Sequence, residues 1–489
     1  MINDIGRKLI ELAVEAGKNL QSEQTGFLYY NHHGEDKQSH DTIPVFENFL
    51  YVLALLKTRK GESMQEAKLL LEKLLSYQSN TVEQGRGNFP TYLHEFPFCF
   101  SRWNAVKMIA PMYWCYKNFH SILGENLKKK HASSLNNLVS HCLNTLKEDP
   151  ADYLTALRIG AGAVAVGRLL KEADFEKRGE ELIDHLLHTE HPVWFSRYGI
   201  AGILTSLQMV YSKISESPWE KFWIHLENMW HPTLNQYCGP AFEEWQRGNL
   251  PEQSLYDFYM YVYTHALPPK ILEKDISCLY ASLIALVDEK IGENPIKDLS
   301  GEIENTSWNV KSEEKFALSL ITRSRKPDPQ IQKGLRSCYV QWKHDDNLYS
   351  LSCEGGVYEA MAYEIKDREI YLYFTLPEPL ENEHPMENQE LTFFCSPSGK
   401  IKFNVEGHAA TTFKLEETIH IENSPKISVK FKLLDGEGDF LGHLMPGNRP
   451  SQKLISKRFT TDAYDRQIFL RTIRKTTSCK IQVKIKWQY

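Results

Sequence analysis

At 489 residues the chain is longer than a single hydrophobic core supports, which predicts two or more domains. Hydrophobic residues make up 42% and charged residues 25%. No uninterrupted run of roughly 18 apolar residues offers a bilayer span, so a soluble chain without a membrane partner is expected. A net charge of -6 lacks the basic excess of a nucleic-acid binder and speaks against that class, so any cationic site has to be local.

The first segment, MINDIGRKLIELAVEAGKNL, alternates charged and apolar residues at helical spacing. It has neither the basic start nor the apolar stretch of a signal peptide, which predicts a helix and a cytoplasmic chain. Nine cysteines without a CxxC pair suit free thiols and argue against structural zinc. Apolar residues at helical spacing then predict helices over 4–20, 44–58, 62–77, 101–121, 125–146, 152–170, 173–188, 198–213, 218–230, 252–264 and 270–289. Pro44 and Pro251 suit first helical positions, Ser101 a cap, and Ser217 a cap before Pro218.

Connections at 59–61, 122–124, 171–172 and 214–217 are short. Those at 21–43, 78–100 and 231–250 are long and rich in aromatic and polar residues. In an up-down array of helical hairpins this near-alternation gathers the long loops at one end, the pattern of an α/α toroid over 1–295. The alternative is an irregular helical array with decorated loops. After Pro295 the period changes to two: FALSLITRS, SCYVQWK, NLYSLSCE, EIYLYFTL, KISVKFKLL and CKIQVKIKWQY read as strands with Gly and Pro turns between them. They predict an antiparallel β-sandwich beginning near Trp308 and filling 303–489. The chain shows no internal repeat, Walker loop or GxGxxG.

A helical front half with long loops at one end, followed by a β-sandwich, resembles the heparinase II/III-like, chondroitin and alginate polysaccharide lyases over nearly the whole chain. SWNVKSEEKFALSL at 307–320 looks like the first sandwich strand of the heparinase-like group. FLGHLMPGNRP at 440–450 looks like one of its turns, and NQYCGPAFEEWQR at 235–247 is similar to a GP-containing loop of related toroids. The resemblance implies a lyase that acts on a uronic-acid-containing poly- or oligosaccharide by β-elimination, with a carbohydrate partner and no obligatory cofactor. A glycoside hydrolase on the same architecture, drawing two carboxylates from Asp41, Glu95, Glu243 and Glu244, and a non-catalytic carbohydrate-binding or interaction protein stay open beside it.

Such a lyase needs groups that hold the substrate carboxylate, a base for the C5 proton and an acid for the leaving oxygen. The segment FLYYNHHGEDKQSHDTIP at 27–44 concentrates such groups in one turn-prone loop. From it Asn31 and His32 are catalytic candidates, and His33 and His40 substrate-binding ones. Its histidines lack the i, i+4 spacing of a helical metal pair, so no metal is assigned. GRGNFPTYLHEFPFCFSRWNA at 85–105 adds Arg102 as a catalytic candidate and Tyr92, His94, Glu95, Trp103 and Asn104 as binding candidates. Its other reading is a loop anchored by burial of Phe89, Phe96, Phe98 and Phe100.

Two further segments, HPVWFSRYGIAG at 191–202 and NQYCGPAFEEWQRG at 235–248, pair aromatic rings that stack on sugars with arginines that hold carboxylates. They place Trp194, Arg197, Tyr237, Glu244, Trp245 and Arg247 at the substrate. Tyr198 is the preferred proton-transferring tyrosine. His443 reads as an ordinary turn residue.

Overall fold

The computed structural model describes residues 4–33, 39–187, 190–240, 251–265, 276–285, 289–292, 297–303, 306–322, 336–344, 347–354, 358, 360–376, 389–396, 401–422, 425–446, 466–474 and 478–488. Its contacts resolve into two compact units. One comprises Met1–Val193, Arg197–Ile224 and Leu250–Ile291; the other comprises Trp194–Ser196, His225–Asn249 and Gly292–Tyr489.

The helices are α1 (Asp4–Leu20), α2 (Val45–Lys57), α3 (Gly61–Leu75), α4 (Arg102–Phe119), α5 (Glu125–Glu148), α6 (Tyr153–Leu170), α7 (Ala173–Leu187), α8 (Arg197–Val210), α9 (Glu220–Asn228) and α10 (Pro251–Thr264). They sort by composition into two kinds. α3 buries Ala67, Leu70, Leu71, Leu74 and Leu75, a single stripe with the other side left to water. α2 and α6 are buried along nearly their whole length, and a helix apolar all round has to lie inside. Accordingly α2 packs on α4, α4 on α6, α6 on α8 and α8 on α10. A 3-10 helix, Ile276–Leu283, joins α10 back to α2. This closes an inner ring, and α1, α3, α5 and α7 pack on it from outside. The helical unit is thus an α/α toroid.

Local signals set several ends. Ser101 Oγ accepts from Asn104 N at 3.2 Å, and Asp152 Oδ1 accepts from Thr155 N at 3.0 Å, each supplying an acceptor to a helix's first turn. α6 is long and apolar enough to cross a membrane by length and composition, yet it is largely buried within the unit. Arg158 and Arg168 interrupt its apolar run.

Three expectations change. Residues 27–44 hold a β-hairpin, not an irregular loop: Tyr30–His33 pairs antiparallel with Ser39–Thr42. The helix expected over 270–289 is, where described, the 3-10 segment. Every residue in it is buried, so no amphipathic period marks its type, and side chains from neighbouring helices hold the backbone beyond it: Lys57 Nζ donates to Ile284 O at 2.8 Å, and Gln208 Oε1 accepts from Ala285 N at 3.2 Å. Finally, of the four phenylalanines expected to anchor the 85–105 segment, only Phe89 is buried, its ring 5.4 Å from that of Phe49. Phe96, Phe98 and Phe100 stay exposed.

The second unit is a sandwich of two antiparallel sheets. Among the described residues one has nine strands, in the order Thr412–Phe413, Gly438–Pro446, Arg466–Arg474, Gln389–Ser396, Asn347–Glu354, Arg336–His344, Phe316–Ile321, Thr306–Glu313, Leu299–Ile303. The other has six: Ala360–Lys366, Glu369–Leu376, Cys479–Gln488, Lys426–Asp435, Thr418–Ile421, Phe403–Val405. Burial alternates along Glu369–Leu376 and Cys479–Gln488, as a half-covered sheet demands. Between the sheets the rings of Phe316 and Trp487 stack at 4.5 Å, and Phe393 meets Phe431 edge-on at 5.9 Å.

Here the stretch 307–320 is a hairpin of two strands, preceded by the strand Leu299–Ile303. FLGHLMP is strand rather than turn, and His443 is a strand residue stacked on Phe469 at 4.8 Å. Gly442 lies within that strand, and its missing Cβ makes room for the Phe413 ring.

Two buried histidines make stability acid-sensitive. Burial pushes His131 in the helical unit and His225 in the β-rich unit from 6.5 down to about 4. Between those values the unfolded chain binds more protons, so stability is full near neutrality and falls as pH drops, by about 2 kcal/mol per histidine at about pH 5. Urea unfolding of His131→Phe at neutral and acid pH is expected to show about 2 kcal/mol less acid loss than the parent chain.

Candidate functional site

The ring of the helical unit lines a small pocket of about 30 Å3 to which every inner element contributes: Phe46 from α2, Lys107 from α4, Arg158 from α6, Thr205 from α8, Leu255 from α10 and Tyr280 from the 3-10 helix. Its walls are mostly apolar and aromatic. Its charges are cationic. The Arg158 guanidinium lies 4.7 Å from the ring centre of Trp103 and 5.7 Å from that of Tyr198. Gly202 on α8 leaves the room for it, since a Cβ there would come within 2.8 Å of Arg158 Nη2. Among the described residues, Arg158 Nη1 is buried with no hydrogen-bond partner.

Lys107 stands one turn along α4 from Trp103, its ammonium 4.6 Å from the ring centre of Phe46 and 5.8 Å from that of Trp103. It also reaches Tyr280 Oη at 3.4 Å, and that hydroxyl lies 3.4 Å from Glu47 Oε1. A phenol is therefore flanked by an ammonium and a carboxylate. Aromatic faces stabilise the two cations in part. A desolvated guanidinium with an unused donor still gains strongly from an incoming anion. Among the described residues no carboxylate lines the cavity itself; Glu47 reaches it through the Tyr280 hydroxyl.

The segments that precede α2 and α4 are tied to each other. Val45 N donates to Thr91 O and Leu93 N to Ile43 O, each at 3.0 Å, which ties the exit of the 27–44 hairpin to the 85–101 segment. Trp103, 37% exposed, lies 6.4 Å from Tyr198 at the start of α8.

Solved structures similar to this chain are polysaccharide lyases. Heparinase III aligns with a TM-score of 0.54 at 8% identity, over 100% of this chain and 85% of its own. The chondroitin AC lyase of Streptomyces coelicolor A3, solved in complex with chondroitin sulphate, aligns at 0.51 and 9%, over 99% and 79%. A Paenibacillus xanthan lyase aligns at 0.50 and 10%, over 100% and 57%. The chain has the polysaccharide lyase fold. No family model and no curated protein matches the sequence, so the likeness is one of fold.

Within this lyase fold the expected site residues fall into distinct groups. Trp103 and Tyr198 are brought together, with Arg158 lying against both rings. Arg102, next to Trp103, pairs through Nη1 with Asp149 at 2.9 Å. Asn104 is buried and donates to the Phe89 and Pro90 carbonyls at 3.1 Å each. Glu95 accepts from the Thr91 and Tyr92 amides. These last two residues hold the 85–105 backbone in place. Tyr92 and His94 stack at 5.8 Å, and Arg197 is buried at the start of α8.

Trp194 and Tyr237 belong to the β-rich unit and are buried there. The Trp194 carbonyl is 3.0 Å from His225 Nε2, and the Tyr237 hydroxyl donates to Pro240 O at 2.9 Å. Neither ring is open as a stacking platform within that unit. For Asn31, His32, His33 and His40 only the backbone is described: Asn31 stands opposite Asp41, and His32 opposite His40. Glu244, Trp245 and Arg247 lie outside the described residues.

Sequence reasoning passed over Glu47, Lys107, Arg158 and Tyr280. Two carried a signal. Arg158 interrupts the apolar run of α6, and a charge in a fully buried helix needs a reason. Lys107 follows Trp103 by four residues and so shares its helix face.

Proposed function

We propose that this chain is a lyase that cleaves a uronic-acid-containing poly- or oligosaccharide by β-elimination in the toroid cavity. The observation that carries the reading is Arg158, a half-buried side chain whose buried Nη1 has an unused donor, set against Trp103 and Tyr198 with Lys107 beside it. The two cations neutralise the uronate carboxylate, so that the C5 proton becomes removable and the charge that develops on the carboxylate is stabilised. Trp103 presents an exposed face for the sugar ring. Tyr280, its own proton passed to Glu47 and its phenolate faced by Lys107, takes the C5 proton; the C4–C5 double bond forms, the bond from C4 to the leaving oxygen breaks, and Tyr280 returns that proton to the leaving oxygen. Tyr198 is the second candidate for this step.

A hydrolase needs two carboxylates on opposite sides of the bond, and the single acid reached through Tyr280 favours elimination.

The test is the ultraviolet absorbance of the unsaturated uronate product while the purified chain is incubated with uronate polymers and oligomers. A rising signal that Tyr280→Phe abolishes is expected. If Tyr198→Phe abolishes it instead, the proton passes to that residue. New reducing ends without the absorbance would establish hydrolysis, and binding without either would establish a non-catalytic protein.

A further inference from the structure

A second concavity, of about 660 Å3, lies on the helical unit between α5 and the segment 79–101. On its α5 side stand Asn137, Ser140, His141, Asn144 and Thr145. Their spacing of i, i+3, i+4, i+7 and i+8 makes one continuous helix face, and every position on it is polar. Facing it are Val82, Arg86 and Phe100. Phe100 is 65% exposed and stacks on Phe98, itself 55% exposed, at 6.0 Å. Rings this exposed in a folded segment forgo burial that would stabilise it.

The walls are built to hold still. Gly87 has φ +89, and a Cβ there would stand 2.5 Å from the Asn137 carbonyl oxygen, so the segment presses onto α5 where only glycine fits. Gln78 donates to Gly87 O and Ser134 O at 2.8 Å each and accepts from Ser134 Oγ at 2.8 Å. Asn88 Nδ2 donates to Cys99 O at 2.7 Å and Ser101 O at 3.0 Å. A groove whose two walls are tied together in this way loses little freedom when it is filled.

We infer that this groove is a second carbohydrate site, which binds a stretch of glycan chain outside the toroid cavity. The ring of Phe100 stacks on sugar C–H faces, the amides and hydroxyls of α5 pair with sugar hydroxyls, and Arg86 with His141 takes a carboxylate or sulphate group. The α5 wall offers no apolar anchor of the kind a protein partner needs, and one arginine beside a histidine makes no phosphate-binding stripe. Phe100 precedes Trp103 by three residues, a reach of at most about 11 Å, so a chain longer than the cavity holds can occupy both. Its role as an extension of a catalytic cavity rests on the proposed function; its ability to bind sugar does not.

The experiment is calorimetric titration of the full chain with size-fractionated alginate and chondroitin sulphate oligosaccharides, for the parent and for Phe100→Ala and Ser140→Trp, which alter opposite walls. Both substitutions fall outside the core. Long oligosaccharides are expected to bind about tenfold more weakly to each variant, with disaccharide affinity unchanged. Equal affinities of parent and variants at every chain length overturn the inference, as does a parent chain that binds no member of the panel. Groove-dependent binding without any eliminated product sinks the lyase reading and leaves the groove standing. Elimination with unaltered length dependence in the variants does the reverse.

Discussion

Replacing Arg158 with leucine is expected to lower kcat/KM on a uronate oligosaccharide by roughly two to three orders of magnitude, the loss that follows when a desolvated charge pair loses one partner. The same change is expected to leave the fold as stable as before or more so. In the unliganded chain Arg158 keeps a buried Nη1 without a hydrogen-bond partner among the described residues, a cost that an apolar side chain removes. The cation–π contacts with Trp103 and Tyr198 that are lost offset part of that gain. A positioned charge kept at the expense of stability marks a functional group more than a structural one. Steady-state kinetics and a thermal melt of one preparation read both quantities. A large drop in melting temperature would make Arg158 a structural residue and remove the main support for the site. Arg158→Lys is expected to recover only part of the activity, because an ammonium neither stacks as a guanidinium does nor grips a carboxylate with two parallel bonds.

Asn48→Leu is expected to destabilise the helical unit by about 2–5 kcal/mol, since it takes the side-chain partner from the buried Leu28 N and Leu28 O, at roughly 1–3 kcal/mol each. Asn48 is fully buried on α2. Its Oδ1 accepts from Leu28 N at 2.8 Å, and its Nδ2 donates to Pro44 O at 2.7 Å and Leu28 O at 3.3 Å. Leu28 precedes the 30–42 hairpin and Pro44 follows it, so one side chain pins both ends of the segment that carries Asn31, His32, His33 and His40. Urea unfolding measures the stability, and limited proteolysis within 27–44 measures release of the hairpin. Asn48→Asp keeps the acceptor and loses the donor, and an intermediate effect is expected. A loss below about 1 kcal/mol on Asn48→Leu would show that the hairpin is held without this clamp.

Much of the fold is legible because its signals are local. The stripe on α3 and the alternation along Glu369–Leu376 each follow from which side of one element faces water. Legibility fails where that contrast vanishes. From Asn31 to Asp41 the chain offers only polar residues and one glycine, so no period-two pattern betrays the hairpin, which backbone pairing and Asn48 hold instead. Ile276–Leu283 is buried throughout, so nothing in its pattern separates 3-10 from α. FLGHLMP reads as a turn until Phe413 fills the space that Gly442 leaves.

For the site, Trp103 and Tyr198 stand out as aromatic and basic clusters in the chain. Asn104 and Glu95 stand out for the same reason and serve the backbone, because a polar side chain's partner is invisible in one dimension.

The sequence by itself determined a toroid of helices followed by a sandwich of strands, since hydrophobic period and turn chemistry act over a few residues and need no distant partner. Only the tertiary structure decided where the charges meet. Glu47, Lys107, Arg158 and Tyr280 lie on four different elements and share no local pattern. Closure of the inner ring brings Lys107, Arg158 and Tyr280 to one pocket, with Glu47 behind the Tyr280 hydroxyl.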